Sequence, residues 1–255
     1  MSAVQNIKVT TTDSSPAQSA SRPRLLTWLT VITALAVLGG LYMALFYAGT
    51  DTAQGMVQRI FYVHVSSFSG AFVAFCATVV GGILYLRTRQ PKWDTLALAG
   101  VEVGLTLALM NLTTGMVWAR PIWNTWWTWD PRLTSAAIMV LTYAAYLMLR
   151  NGIENAETRR RFASVYGILA IVTVIITFVI IRIEPRTIHP VVIGPSPQNT
   201  QAEGAFGLTP SMTTTLAVNS FIWSVLVPWT LLWYRIRLQN LADHVHALKA
   251  RVLEK

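Results

Sequence analysis

The sequence predicts an all-α integral membrane protein, a bundle of six transmembrane helices with an outward-facing loop dense in tryptophan. Three observations lead there. The 255 residues are 53% hydrophobic and only 12% charged, too apolar for a soluble domain of that length. Six stretches, at about 28–48, 62–86, 94–117, 133–149, 162–183 and 212–234, are long enough to cross ~30 Å of hydrocarbon, roughly 20 residues at the helical rise. The basic residues also segregate. Fifteen of the twenty Lys and Arg fall at the chain ends and in the 87–92 and 150–161 connections. Only Arg59, Arg120, Arg132, Arg182 and Arg186 fall on the other side.

The elements follow in chain order. Residues 1–27 open with a Ser-, Thr- and Gln-rich stretch lacking the apolar core of a cleaved signal peptide, and are expected to form a disordered cytoplasmic tail. Residues 28–235 form the six-span membrane domain, and 236–255 a cytoplasmic C-terminal helix. By the positive-inside rule both termini are cytoplasmic, in a bacterial inner membrane. The net charge of +9 is therefore topological, and no nucleic-acid partner is expected. The single Cys76 rules out a disulfide framework and a cysteine-based metal site. No Gly-rich phosphate loop, GxSxG elbow or HExxH helix occurs.

This topology sends segments 49–61, 118–132 and 184–211 outward. Five of the ten tryptophans, Trp118, Trp123, Trp126, Trp127 and Trp129, lie in the second of them, followed by Asp130 and Arg132. One reading is an interfacial aromatic belt. The other is a platform of flat, rigid faces for a large planar apolar ligand, presented by a helix that Pro121 and Asn124 make irregular. His64 starts span two and His189 follows span five, at matching depth on the tryptophan side. Neutral imidazole is a standard axial ligand of haem iron, so the pair points to iron bound between them. Met212 is the nearby soft alternative, whereas His244 and His246 lie on the polar C-terminal helix.

Arg120 and Arg132 bracket the tryptophans, and Arg186 precedes His189. Such arginines either snorkel to headgroups or pair with the two carboxylates of haem, which a guanidinium matches well. Asp130 either holds Arg132 or caps span four. Glu102 stands inside span three, too deep to reach an outer ligand, and is read as structural or proton-linked.

The segments 115–124 (GMVWARPIWN) and 126–134 (WWTWDPRLT) resemble the tryptophan-rich WWD signature of haem-handling proteins. The ending DPRLT, with QRIFYVH at 58–64, RTIHP at 186–190 and VEVG at 101–104, is similar to the CcmC family of the cytochrome c maturation system. The resemblance covers roughly 57–234, with the WWD segment at 118–134. It implies a protein without turnover chemistry that binds haem b (iron protoporphyrin IX) at the outer face and delivers it to the haem chaperone CcmE. It further implies CcmD and the transporter pair CcmA and CcmB as partners beside the lipid bilayer. His64 and His189 become axial ligands, and Trp118, Arg120, Trp123, Trp126, Trp127, Trp129, Asp130 and Arg132 become cofactor-binding residues. The alternative is a CcsA-like subunit of a cytochrome c synthase, against which stands the lack of a second, intramembrane histidine pair. A cytochrome b would need histidines facing each other inside the bundle, and none lies deep within a span.

Overall fold

The computed structural model describes residues 23–191 and 207–253. Most of the expected tail and the middle of the last outward segment, with Pro195, Pro197 and Gly204, lie outside them. Six helical rods are long and apolar enough to cross a membrane: Arg24–Tyr47, Met56–Thr88, Pro91–Trp123, Pro131–Gly152, Ala156–Ile183 and Pro210–Ala250. Their α-helices are α1 (Arg24–Tyr42), α2 (Ile60–Thr88), α3 (Pro91–Trp123), α4 (Pro131–Gly152), α5 (Ala156–Ile183), α6 (Pro210–Phe221) and α7 (Val227–Leu253). A π turn, Met43–Tyr47, ends rod one, and another, Ile222–Leu226, joins α6 to α7. Among the described residues there is no strand, and the chain is an all-α, multi-pass membrane protein as expected.

Local chemistry sets the helix ends. Pro91, Pro131 and Pro210 each occupy a first helical position, where a missing N–H costs nothing. Asp130, Asn155 and Thr209 accept backbone N–H bonds as caps. Arg89 and Asn124, with φ of 58° and 54°, turn the chain out of α2 and α3. The rods outrun the spans read from hydropathy because these signals lie in polar turns beyond each apolar middle. The fourth rod is Pro131–Gly152 rather than 133–149, and the sixth runs to Ala250 rather than 234.

Helix α2 lies against α3, α5 and α6. Gly100 of α3 meets the Ala74 carbonyl and Thr78 of α2 so closely that a Cβ would collide with backbone. Small residues at a membrane helix contact allow this approach, and Thr78 Oγ1 donates to the Ala97 carbonyl at 3.1 Å across it. Phe75 stacks on Tyr143 of α4 at 3.7 Å. The outermost rods are tied by Thr33 with Thr230 at 2.8 Å, and by Asn219 Nδ2, which donates to the Gly40 carbonyl at 3.2 Å.

Ion pairs close the end of the bundle that carries the basic connections. Arg150 donates two hydrogen bonds to Asp94, at 2.6 and 2.9 Å, and Arg160 approaches to 3.6 Å. Arg235 pairs with Glu102, its Nη2 donating to Oε1 at 2.9 Å. Of the two roles left to Glu102, this partner supplies the structural one.

Candidate functional site

The other end of the bundle is built around two histidines. His64 stands in the second turn of α2, because a 3-10 turn, Met56–Arg59, feeds directly into the helix at Ile60. His189 lies in the segment after α5. The ring centroids are 6.4 Å apart, with planes tilted by 35°. Two imidazoles bound to one metal ion have centroids about 6 Å apart, given a metal–nitrogen distance of about 2 Å on each side and roughly 1 Å from nitrogen to ring centre.

Both rings are held by Nδ1. That of His64 bonds the Asn111 carbonyl at 2.9 Å, and that of His189 the Pro190 carbonyl at 3.1 Å. A carbonyl accepts only from N–H, so each neutral ring carries its proton on Nδ1 and presents Nε2 as a base. This is how metal-binding histidines are commonly oriented. Among the described residues nothing hydrogen-bonds either Nε2. Asn111 grips the helix twice, its Nδ2 also donating to the His64 carbonyl at 2.7 Å. At Gly115, one turn further along α3, a Cβ would sit 2.8 Å from the His64 ring. Burial holds His189 down to a pKa of about 3, with the nearby Arg132 charge and His64 pushing the same way, so it is neutral through the physiological range.

A cleft beside the pair is lined by His64, Gly115, Trp118, Trp123, Trp127 and Arg132, among others, and holds about 450 Å³ with its mouth included. Trp118 is buried, and its Nε1 donates to Gln54 Oε1 at 3.0 Å. Trp123 stands edge-on to Trp118 at 5.2 Å and to His189 at 6.4 Å. A second cleft, toward α2 and α5, shares both histidines and Arg132 and is walled by Val65, Phe68, Phe178 and Val179. The histidine pair thus stands between two apolar recesses, as an extended flat ligand centred on the metal would require.

The tryptophans divide. Trp118 and Trp123 are on α3, and Trp127 follows in the short link to α4. Trp126 and Trp129 are 54% and 78% exposed and do not line the cleft, although Trp129 packs edge-on against Trp127 at 5.8 Å. The arginines divide too. Exposed Arg120 bonds the Asn124 side chain, and Arg186 is paired with Glu184 at 2.8 and 2.9 Å. Arg132 points into the cleft over the Phe68 ring at 4.6 Å. Its Nη1 is buried and has no partner among the described residues. A buried cation without an acceptor is costly, so this guanidinium suits an anionic group arriving with a ligand.

Asp130 is 7% exposed and does not spend its carboxylate on Arg132's side chain. Oδ1 accepts from the Arg132 and Leu133 amides, capping α4, and from Thr187 Oγ1 at 3.0 Å. Oδ2 accepts from the Ile188 amide at 2.7 Å. The aspartate thereby fastens the His189 segment to the tryptophan segment. Met212 is buried among Ala44, Ala48, Phe61 and Tyr62, apart from the cleft lining.

Fold and site together define a polytopic helical membrane protein with a two-histidine, tryptophan-walled cleft at one end. The family model described as CcmC, heme exporter protein C, matches residues 10–251, and the chain belongs to that family. Heme exporter protein C of Rhodobacter capsulatus is 35% identical over 149 residues, 58% of this chain and 60% of the relative. That of Paracoccus denitrificans is 32% identical over 148 residues, with the same shares. The Escherichia coli K12 protein is 28% identical over 146 residues, 57% and 59% of the two chains. The chain thus spans about three fifths of the length of these curated relatives.

Proposed function

We propose that this chain binds haem b at the outer face of a bacterial inner membrane and delivers it to the haem chaperone CcmE during c-type cytochrome biogenesis. One observation carries the reading: two half-buried histidines share one metal-spanning separation, each with Nδ1 engaged by a carbonyl. His64 and His189 are the axial ligands. Trp118, Trp123 and Trp127 wall the ring, and Arg132 receives a propionate. Asp130 positions His189. Trp126, Trp129 and Arg120 form the exposed rim past which the cargo is passed on. Haem is cargo here, and the chain has no turnover chemistry of its own.

The positive-inside rule supports the orientation. Arg150, Arg160 and Arg235 belong to the basic majority, so that end is cytoplasmic, both termini with it, and the histidines face outward. Residues 28–235 form the haem-binding membrane domain between a cytoplasmic tail and a cytoplasmic C-terminal helix. CcmD, CcmA and CcmB are the expected membrane partners, consistent with the export system named in the relatives.

The test is a titration of the purified apoprotein with haem, followed by addition of the soluble domain of the chaperone. One haem per chain with a six-coordinate low-spin spectrum, then its appearance on the chaperone, is expected. A bound haem that the chaperone never acquires refutes delivery. A protein that takes up no haem refutes the whole reading.

A further inference from the structure

The sixth rod is far longer than a membrane is thick. Its 41 residues extend roughly 60 Å, against ~30 Å of hydrocarbon. The excess lies at its C-terminal end, past the level of Arg24 where α1 begins, since Thr30 of α1 meets Tyr234 at 2.8 Å. From 238 to 250 every residue is exposed except Gln239 and Ala242. Leu238, Leu241, Val245, Leu248 and Val252 follow one another at steps of 3, 4, 3 and 4, with exposures of 60%, 50%, 40%, 47% and 72%. That alternation is the seam of a coiled coil, with Leu and Val at successive core positions. A helix meant only for water has no use for five aliphatic side chains in one line.

A polar ladder occupies another face. Arg235 pairs with Glu102, bonds Gln239 at 3.2 Å, and Gln239 bonds Asp243 at 2.9 Å. These i, i+4 links stiffen the helix and tie it to α3. By register the positions flanking the seam are Arg237, Ala242, His244, Lys249 and Arg251. None is acidic.

We infer that this seam pairs with an acidic amphipathic helix of another protein, forming a short two-stranded coiled coil on the face opposite the histidine cleft. Flanking charges choose coiled-coil partners. In a parallel pair of this chain His244 would face Lys249 of the other copy with no acid between them, whereas Glu or Asp in a partner complements both. Its continuity with the sixth rod carries Val245, Leu248 and Val252 past the start of α1, beyond the depth of the bundle. The inference is independent of the haem reading.

The full chain in nanodiscs is titrated with a fluorescent three-heptad peptide bearing Leu at the core positions and Glu at the flanks. A control peptide carries Lys at the flanks. The Glu peptide is expected to bind at least tenfold more tightly. The double variant Leu241→Glu, Leu248→Glu should abolish binding with helix content unchanged, since both side chains are exposed. His244→Glu with Lys249→Glu, which sets two carboxylates against the two remaining flanking arginines, should erase the preference. Equal affinity for the two peptides, or no binding of either, overturns the inference. So does a dimer in the absence of peptide that the Leu241→Glu, Leu248→Glu variant dissolves, which would make the partner a second copy. Quenching of a label at position 248 by lipid-borne quencher would place the seam in the membrane and overturn it equally.

Discussion

The two ends of the bundle treat buried charge in opposite ways. At the basic end Asp94 takes both hydrogen bonds of Arg150 and the approach of Arg160, and Glu102 takes Arg235. At the histidine end the buried carboxylate of Asp130 is consumed by a helix cap and by Thr187 and Ile188, and among the described residues Arg132 Nη1 has no acceptor. Matched charges hold helices together. Among the described residues, a cation without an acceptor beside two imidazoles with unengaged Nε2 atoms is what the proposed haem site would need. On the proposed reading the same residue types serve structure at one end and binding at the other, and partners rather than identity tell them apart.

The comparison breaks most visibly by removing one charge from each end. Asp94→Ala strands Arg150, whose side chain is only 10% accessible, and should destabilise the fold by about 3–5 kcal/mol. Thermal unfolding in detergent reads this, with haem affinity per folded molecule unchanged. Arg132→Met should do the reverse, leaving the melting temperature level or raised. Haem affinity should drop roughly 10- to 100-fold, the value of about 1.5–3 kcal/mol for a hydrogen bond to a charged group. If Arg132→Met unfolds the protein as readily as Asp94→Ala, the two ends are not different in kind.

Intermediate effects are expected where the histidine end is held in place. Asp130→Ala and Thr187→Val should each loosen His189, giving a mixture of five- and six-coordinate haem in the absorption spectrum, while Asp130→Asn retains part of the cap. Trp127→Ala should weaken haem retention about three- to tenfold, the scale of a lost aromatic contact. Trp129→Ala should have a smaller effect on binding itself. Equal losses at the two sites would show that exposure does not separate wall from rim.

The smallest effect concerns pH. His189 is held below its ordinary pKa, chiefly by burial. An unfolded chain takes up a proton near pH 6.5 that the folded site refuses until about pH 3. The apoprotein is therefore fully stable above the unfolded value and loses stability as pH falls below it. Protons do not compete for the ligand, so haem affinity measured from pH 8 to 5 should change less than threefold. An ordinary histidine would lose about 30-fold by pH 5, and a loss of that size would contradict the burial of the site.

Much of this was legible in the chain. Long apolar stretches between basic clusters give six spans directly, because hydrocarbon thickness fixes their length. That His64 and His189 would lie together was legible because both fall at matching depth beside the tryptophan segment. The helix ends were less so, since Pro131 and Asp130 set α4 from outside its apolar middle. What holds the histidines was not legible: Asn111 and Thr187 lie 47 and 57 residues from the partners they bond. A polar Asn within the third span was the available signal for Asn111. Nor does a run of tryptophans say which faces turn inward, a choice made by the break at Asn124. The pairing of Glu102 with Arg235 required knowing that α3 and α7 are neighbours.

On the proposed reading His64 and His189 bind one iron from opposite sides. The direct measurement is the absorption spectrum of haem-loaded protein carrying His64→Gly, His189→Gly or both, with and without added imidazole. Each single variant should lose the six-coordinate low-spin spectrum and regain it with imidazole, because a small free base fills an open coordination site but does not repair a distorted helix. A six-coordinate spectrum that survives in the double variant without imidazole would contradict the assignment.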